Sequence, residues 1–301
     1  MTHDYRLFTQ PAELHKAINT LRGIVSGLST DRKVDNDEIQ ELVHWVALHE
    51  HLRNCHPFSE ILPIVEAACE DNIISEEEAD DILWVCASFA DSGSYYDSIT
   101  SSIQFLMGLV HGIMADAELS DSEIYALRKW IDSNNYLAST YPFDEINSLL
   151  CTILCDKKIE QHEREMLMAF FSTIIEFKDS LNLHETDFEE LRKTYSISGI
   201  CAVCPDIIFE GKSFIFTGES YRASRPKMAE AVLRHGGKVT TKVSGQTDYL
   251  IVGSEGNPCW KFSCYGKKIS DAIAFRSNGA KVQIVHENDF WDAVDDADML
   301  K

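Results

Sequence analysis

Apolar residues recur at helical spacing through the first two thirds of the chain. Leu14, Ile18, Leu21, Val25 and Leu28 form one stripe, and Ile103, Leu106, Met107, Val110, Ile113 and Met114 form another. Residues at i, i+3, i+4 and i+7 share one face of a helix, so each stripe predicts an amphipathic helix with a core-facing side. The same part of the chain holds four segments that align with one another, 31–38, 71–78, 116–123 and 156–163. Each reads Asp-x-x-apolar-cap-x-x-Glu: Asp31, Asp71, Asp116 or Asp156 opens it, Glu38, Glu78, Glu123 or Glu163 closes it, and Asp35, Ser75, Ser120 or Glu160 holds the cap position. Leu42, Ile82, Leu127 and Leu167 recur seven residues after the cap. Ser75-x-x-Glu78 and Ser120-x-x-Glu123 have the form of capping boxes, in which side chains at both ends of the first helical turn satisfy its free N–H groups. The pattern therefore predicts four helix hairpins, about eight helices in all, stacked through their apolar faces as an all-α bundle.

Past about Tyr195 the period changes. Strands are predicted at 213–217, 238–240, 249–252 and 282–285, and helices at 224–233, 269–275 and 288–294, in the order βαββαβα. Strands alternating with helices imply a small, mainly parallel sheet covered on both faces. The chain thus reads as multidomain: a helical domain at 1–180, a linker at 181–206, an α/β domain at 207–294 and an acidic tail at 295–301. Its length of 301 residues fits two domains at roughly 100 to 200 residues each.

Charge sharpens this division. The chain has 27 Lys+Arg against 49 Asp+Glu, a net charge of −22, and 45% of its residues are hydrophobic. All of the excess negative charge lies in residues 1–200, whereas 207–291 carries a net charge of +4. A polyanion could approach only the C-terminal domain. No apolar run reaches the ~18 to 20 residues a membrane span needs, and 1–10 carries Asp4 and Arg6 rather than a signal-type apolar core. An odd number of cysteines, nine, with Cys55, Cys69, Cys86, Cys151 and Cys155 inside helical patterns, favours reduced thiols and a cytoplasmic location.

The C-terminal residues are specific enough to name a family. Phe214-Ile215-Phe216-Thr217-Gly218, then His235-Gly236-Gly237-Lys238, then Thr247-Asp248-Tyr249-Leu250-Ile251-Val252, then Asp289-Phe290-Trp291 resemble a BRCT domain, of the branch found in NAD-dependent DNA ligases and the large subunit of the eukaryotic clamp loader. The resemblance implies a four-stranded parallel sheet and a phosphate pocket formed by Thr217, Gly218, Arg225 and Lys268. A hydroxyl, a backbone N–H at a helix N-terminus, a guanidinium and an ammonium are the groups that bind an anion. Lys261 and Lys267, with Trp260, Phe262 and Tyr265 in the long loop before the second helix, offer either a further DNA contact or a cover for the sheet. The helical hairpins resemble TerB-like domains of tellurite-resistance and phage-defence contexts over about residues 10–180. That resemblance implies a divalent-cation site at Asp116, Glu118, Ser120 and Glu123, with weak calcium or magnesium binding at most. The same residues are also what any helix start needs for capping.

Other clusters carry less. His44, His49, His51, Cys55 and His56 lack a second ligand pair at zinc spacing, and a zinc site joining Cys201 and Cys204 to Cys259 and Cys264 is not expected. No Lys-x-Asp-Gly adenylation motif, Walker loop or Gly-x-Ser-x-Gly elbow occurs, so no catalytic role is expected. The expected function is a non-catalytic DNA-binding adaptor with no cofactor. Its BRCT domain would hold a 5′ phosphate at an end, nick or gap, and its acidic helical domain would recruit a protein partner in DNA repair, replication or phage defence. The alternatives are a phosphopeptide-binding scaffold and a metal-responsive TerB-like regulator.

Overall fold

The computed structural model describes residues 6–30, 36–90, 97–195, 201–203, 205–253 and 267–299. They divide into two compact units, Met1–Ser133 with Ile159–Lys193, and Asn134–Lys158 with Thr194–Lys301.

The first unit contains α1 (Arg6–Leu28), α2 (Asn36–His49), α3 (Phe58–Ala68), α4 (Glu76–Ala90), α5 (Ser98–Ile113) and α6 (Asp121–Ser133). The helix α7 (Phe143–Ile153) belongs to the second unit, and α8 (Gln161–Phe171) and α9 (Glu185–Thr194) follow it in the chain. The eight helices expected from the repeat are therefore α1 to α8. The repeated Asp is a turn device. Asp71, Asp116 and Asp156 each accept a hydrogen bond from the backbone N–H two residues on, at 3.0, 2.8 and 2.9 Å. The intervening Asn72, Ala117 and Lys157 have φ of 58°, 60° and 63°. Left-handed backbone at a non-glycine residue costs about 1 kcal/mol or more, and here the aspartate and the helix-end carbonyl stabilise it. Of the first copy, 31–38, residues 31–35 lie outside the described residues.

The core of this unit is a continuous apolar cluster that includes Ile18, Leu21, Leu42, Phe58, Leu62 and Ile82. The helices α1 and α5 approach each other backbone to backbone, and glycine makes it possible. A Cβ placed on Gly23 would stand 2.2 Å from the Phe105 carbonyl oxygen, and one on Gly108 would stand 2.2 Å from that of Thr20. Gly27 and Gly112 continue the same seam four residues further along each helix.

The second unit carries β1 (Ser213–Thr217), α10 (Arg225–Arg234), β2 (Lys238–Val239), β3 (Tyr249–Val252), α11 (Lys267–Ser277), β4 (Gln283–His286) and α12 (Glu287–Met299). The sheet order is β2-β1-β3-β4 and every pairing is parallel. Alternate residues of the central strands divide between two cores. Phe214, Phe216 and Ile251 pack with Met228, Val232, Phe290 and Val294 of α10 and α12, and Ile215, Leu250 and Val252 pack with Ile269 and Ala272 of α11. The expected βαββαβα order is present.

The sequence expects helix to continue through Phe188, Leu191 and Tyr195, and α9 supplies it, anchored where Arg192 donates to Ser172 Oγ at 2.8 Å. One boundary differs from the sequence expectation. The acidic stretch 295–301 is not a tail as far as Met299, because α12 runs to that residue. Its carboxylates face basic partners: Asp295 takes two hydrogen bonds from Arg222, at 2.7 and 2.9 Å, and Asp298 takes one from Arg234 at 2.7 Å. Charge read along the sequence alone could not show that pairing.

Candidate functional site

The anion-binding residues expected from sequence meet at the C-terminal end of β1, the edge of a parallel sheet where ligands are usually held. Thr217 closes the strand, and its carbonyl accepts from Gly253 N–H at 2.9 Å. Gly218 follows with φ +73°, a value open to glycine but strained for other residues. Gly253 matters equally, since a Cβ there would come within 2.3 Å of the Glu219 carbonyl oxygen. The two glycines let the turn after β1 lie directly on the end of β3.

The two cations come from different helices. Arg225 is the first residue of α10, and its Nη2 donates to the Gly218 carbonyl at 3.1 Å. Lys268 is in the first turn of α11, and its Nζ donates to the Phe216 carbonyl at 2.8 Å. They therefore bracket a three-residue stretch of backbone, Phe216 to Gly218. Burial lowers the Lys268 ammonium pKa below its ordinary value, and the nearby Arg225 charge lowers it further. The exposed Arg225 and the part-buried Lys268 repel each other as like charges, and an anion placed between them would be stabilised by both. Neither residue makes an ion pair with a carboxylate among the described residues.

Several supporting residues escaped the sequence reading. Glu287, fully buried at the start of α12, accepts from Ser220 Oγ and from Tyr221 N–H. Ser220 Oγ in turn accepts from the backbone N–H of Arg222 and Ala223 at 3.2 and 3.3 Å. The turn from Gly218 to Arg225 is thus tied to the start of α12, which follows the C-terminal end of β4 at the same end of the parallel sheet. No periodicity marks Glu287, which sits at a strand-to-helix junction.

Trp260 and Lys261 lie outside the described residues, as do Cys204, Cys259 and Cys264. Lys267 opens α11. Cys201 is a free thiol whose pKa burial pushes up to about 12, with Asp289 adding to the shift.

Two carboxylates of the candidate cation loop, those of Asp116 and Glu123, are occupied by backbone groups. Asp116 accepts from Glu118 N–H at 2.8 Å, Glu123 accepts from Ser120 N–H at 2.7 Å, and Ser120 Oγ accepts from Glu123 N–H at 3.2 Å. Ser75 with Glu78 repeats the arrangement, and Glu160 with Glu163 forms a further capping box. Among the described residues no three His, Cys, Asp or Glu side chains are grouped to hold a metal ion. The histidines near residue 50 turn to different partners: His49 Nδ1 to Trp45 O, His51 Nδ1 to Leu48 O and His56 Nδ1 to Glu60.

Comparison with known proteins decides the character of the C-terminal part. The family model for the BRCA1 C Terminus (BRCT) domain matches residues 204–293. Residues 204–293 are a BRCT domain. Its relatives are of the ligase type. A DNA ligase of Thermoanaerobacter sp. (strain X514) is 41% identical over 69 residues, 23% of this chain and 10% of the ligase. A DNA ligase of Haloarcula marismortui is 34% identical over 91 residues, 30% of this chain and 11% of that protein. One of Geobacter sulfurreducens is 45% identical over 47 residues, 16% of this chain and 7% of the ligase. The chain thus spans only about a tenth of the length of the ligases it matches. No solved structure matches it significantly. No helix among the described residues is long and apolar enough to cross a membrane.

Proposed function

We propose that the protein is a non-catalytic DNA-binding adaptor whose BRCT domain holds the 5′ phosphate of a DNA end, nick or gap, in DNA repair or replication. The observation that carries this reading is the convergence of Arg225 and Lys268 on the Phe216–Gly218 backbone, with burial and the Arg225 charge both lowering the Lys268 pKa. A phosphate there would accept from both cations, from the Thr217 hydroxyl and from backbone N–H at the turn. The relatives that this domain resembles are DNA ligases by name, which gives the anion its identity in this reading. The helical domain, with its excess of carboxylates, would serve as the arm that recruits a protein partner.

The experiment is fluorescence anisotropy with the full chain and matched duplexes, 5′-phosphorylated or carrying a free 5′ hydroxyl. The phosphorylated end should bind more tightly, and base sequence should not matter, since phosphate contacts position a strand without reading it. Equal affinity for both ends would refute the reading.

A further inference from the structure

We propose that Tyr221 is the platform on which the terminal base of the bound strand stacks, so that the site takes a 5′-phosphorylated nucleotide end and not merely a phosphate group. The inference rests on the anion-binding reading of Thr217, Gly218, Arg225 and Lys268.

The loop that begins at Gly218 and ends at Arg225 carries anion-binding groups at both ends, and the hydrogen bond from Arg225 Nη2 to the Gly218 carbonyl closes it. Tyr221 stands inside this closed loop and is 55% exposed. An aromatic ring can bury ~150 to 250 Å², so leaving this one in water forgoes a large apolar contact. The other aromatic residues of the domain's strands and last helix, Phe214, Phe216, Tyr249, Phe290 and Trp291, are buried.

The backbone that presents the ring is fixed on both sides. Before it, Ser220 is bonded to buried Glu287, and the N–H of Tyr221 itself donates to Glu287 Oε1 at 3.3 Å. After it, Arg222 is paired bidentately with Asp295 and lies 4.8 Å over the Trp291 ring. A ring on an anchored backbone has only its own two side-chain torsions left to lose on binding, which makes stacking economical in entropy. In a nucleotide the base is one sugar away from its 5′ phosphate. Tyr221 is three residues from Gly218 within a folded turn closed by Arg225, so in this proposal its exposed ring is within reach of the base next to the phosphate. A phosphoserine side chain has no planar group to use that surface. Stacking is tolerant of base identity, because every base offers a π-face. That agrees with a domain lacking a helix or ribbon to read base edges.

The test uses the full chain and four anisotropy probes: a duplex with a recessed 5′-phosphorylated end, the same end with a 5′ hydroxyl, the same end with a 5′-phosphorylated abasic terminal residue, and a phosphoserine peptide. Tyr221→Ala should weaken binding of the complete phosphorylated end roughly 5- to 150-fold, the range of one base–aromatic stack. Tyr221→Phe should retain affinity. The abasic end should bind the wild-type protein as weakly as Tyr221→Ala binds the complete end, and Tyr221→Ala should lose nothing further on it. If the wild-type protein prefers the 5′ phosphate while Tyr221→Ala matches it on the complete end, stacking is refuted and the phosphate site stands. If the wild-type protein shows no preference for the phosphate, the underlying reading fails instead. A phosphoserine peptide bound more tightly than the phosphorylated duplex would overturn both.

Discussion

Arg276, near the C-terminal end of α11, donates from Nη2 to Glu145 Oε2 at 3.0 Å, although 131 residues of chain separate them. Both are buried, and Arg276 also donates to the Val282 carbonyl at 2.7 Å and to Asp144 at 3.2 Å. The contact holds α7 against the BRCT domain within one compact unit. It also fixes the helix that delivers Lys268, eight residues and about 12 Å up the same helix.

Removing one partner of such a buried pair leaves an uncompensated charge. Glu145→Ala should therefore destabilise this unit by about 3 kcal/mol, the lower end of the usual range because Asp144 remains. Urea unfolding of the full chain, followed by circular dichroism, measures it. The same variant should lose affinity for phosphorylated ends as α11 loosens. An unchanged midpoint would show that α7 is not a structural part of the unit.

Burial raises the Asp144 carboxyl to about 6, with Glu145 pushing the same way and Arg276 opposing. A group whose folded pKa lies above its unfolded value adds stability below the unfolded value, and that contribution is lost as pH rises through the folded one. The second unit should accordingly gain stability from this residue as pH falls from 7 towards 4. In Asp144→Asn, the part of the stability profile that titrates near pH 6 should vanish. A variant profile parallel to that of the wild type would contradict the assignment.

The α1–α5 seam gives a steric prediction. Gly108→Ala would drive a methyl group to within 2.2 Å of the Thr20 carbonyl oxygen, which is backbone and cannot rotate away. The helices must separate, at a cost of at least ~1 to 3 kcal/mol. Ser101→Ala on the same helix α5 is the control, since a half-buried hydroxyl there costs little packing. Thermal melting of the two variants should differ clearly in midpoint.

The acidic loops should behave as caps. Ser120→Ala removes the oxygen that accepts from Glu123 N–H and should cost about 1 kcal/mol, with or without divalent cations present. Chelator should leave the helical circular dichroism unchanged. A substantial loss of ellipticity on adding chelator would make these loops structural cation sites.

The hairpins were legible in the sequence because a turn that recurs leaves a repeated signature, as at Asp71, Asp116 and Asp156, with Ser or Glu at the cap. The four strands of the sheet were legible in the sequence, the central ones because continuous apolar runs such as 249–252 are what a strand covered on both faces requires. The phosphate-site residues were found through family motifs, since Arg225 and Lys268 stand 43 residues apart and only the fold brings them to one place. Glu287, Arg276 and Asp144 were missed for a related reason. A buried charge is marked in sequence by nothing but its identity, and its partner can lie anywhere in the chain. The glycine seam did leave a trace, Gly23-x-x-x-Gly27 and Gly108-x-x-x-Gly112, which the apolar stripes around it obscured.

The pairing of Arg225 with Lys268 makes affinity depend on pH in a way that identifies the site. Lys268 loses its proton at a pH below the ordinary lysine value of 10.5, because burial and Arg225 both disfavour its charge. Only the charged ammonium attracts phosphate, so affinity for a 5′-phosphorylated end should fall as pH rises through that lowered pKa. Lys268→Ala and Arg225→Ala should each cost roughly 10- to 150-fold in affinity, as expected for one charge-assisted contact. Their pH profiles should nevertheless differ. Lys268→Ala removes the titrating group and should flatten the profile, and Lys268→Arg should flatten it while keeping charge, because a guanidinium stays protonated throughout. Arg225→Ala removes the like charge that helps to lower the Lys268 pKa, so its remaining affinity should persist to higher pH than in the wild-type protein. Anisotropy titrations of the phosphorylated duplex between pH 7 and about 10 compare all four proteins. If Arg225→Ala lost affinity at the same pH as the wild type, the two cations would not share one anion.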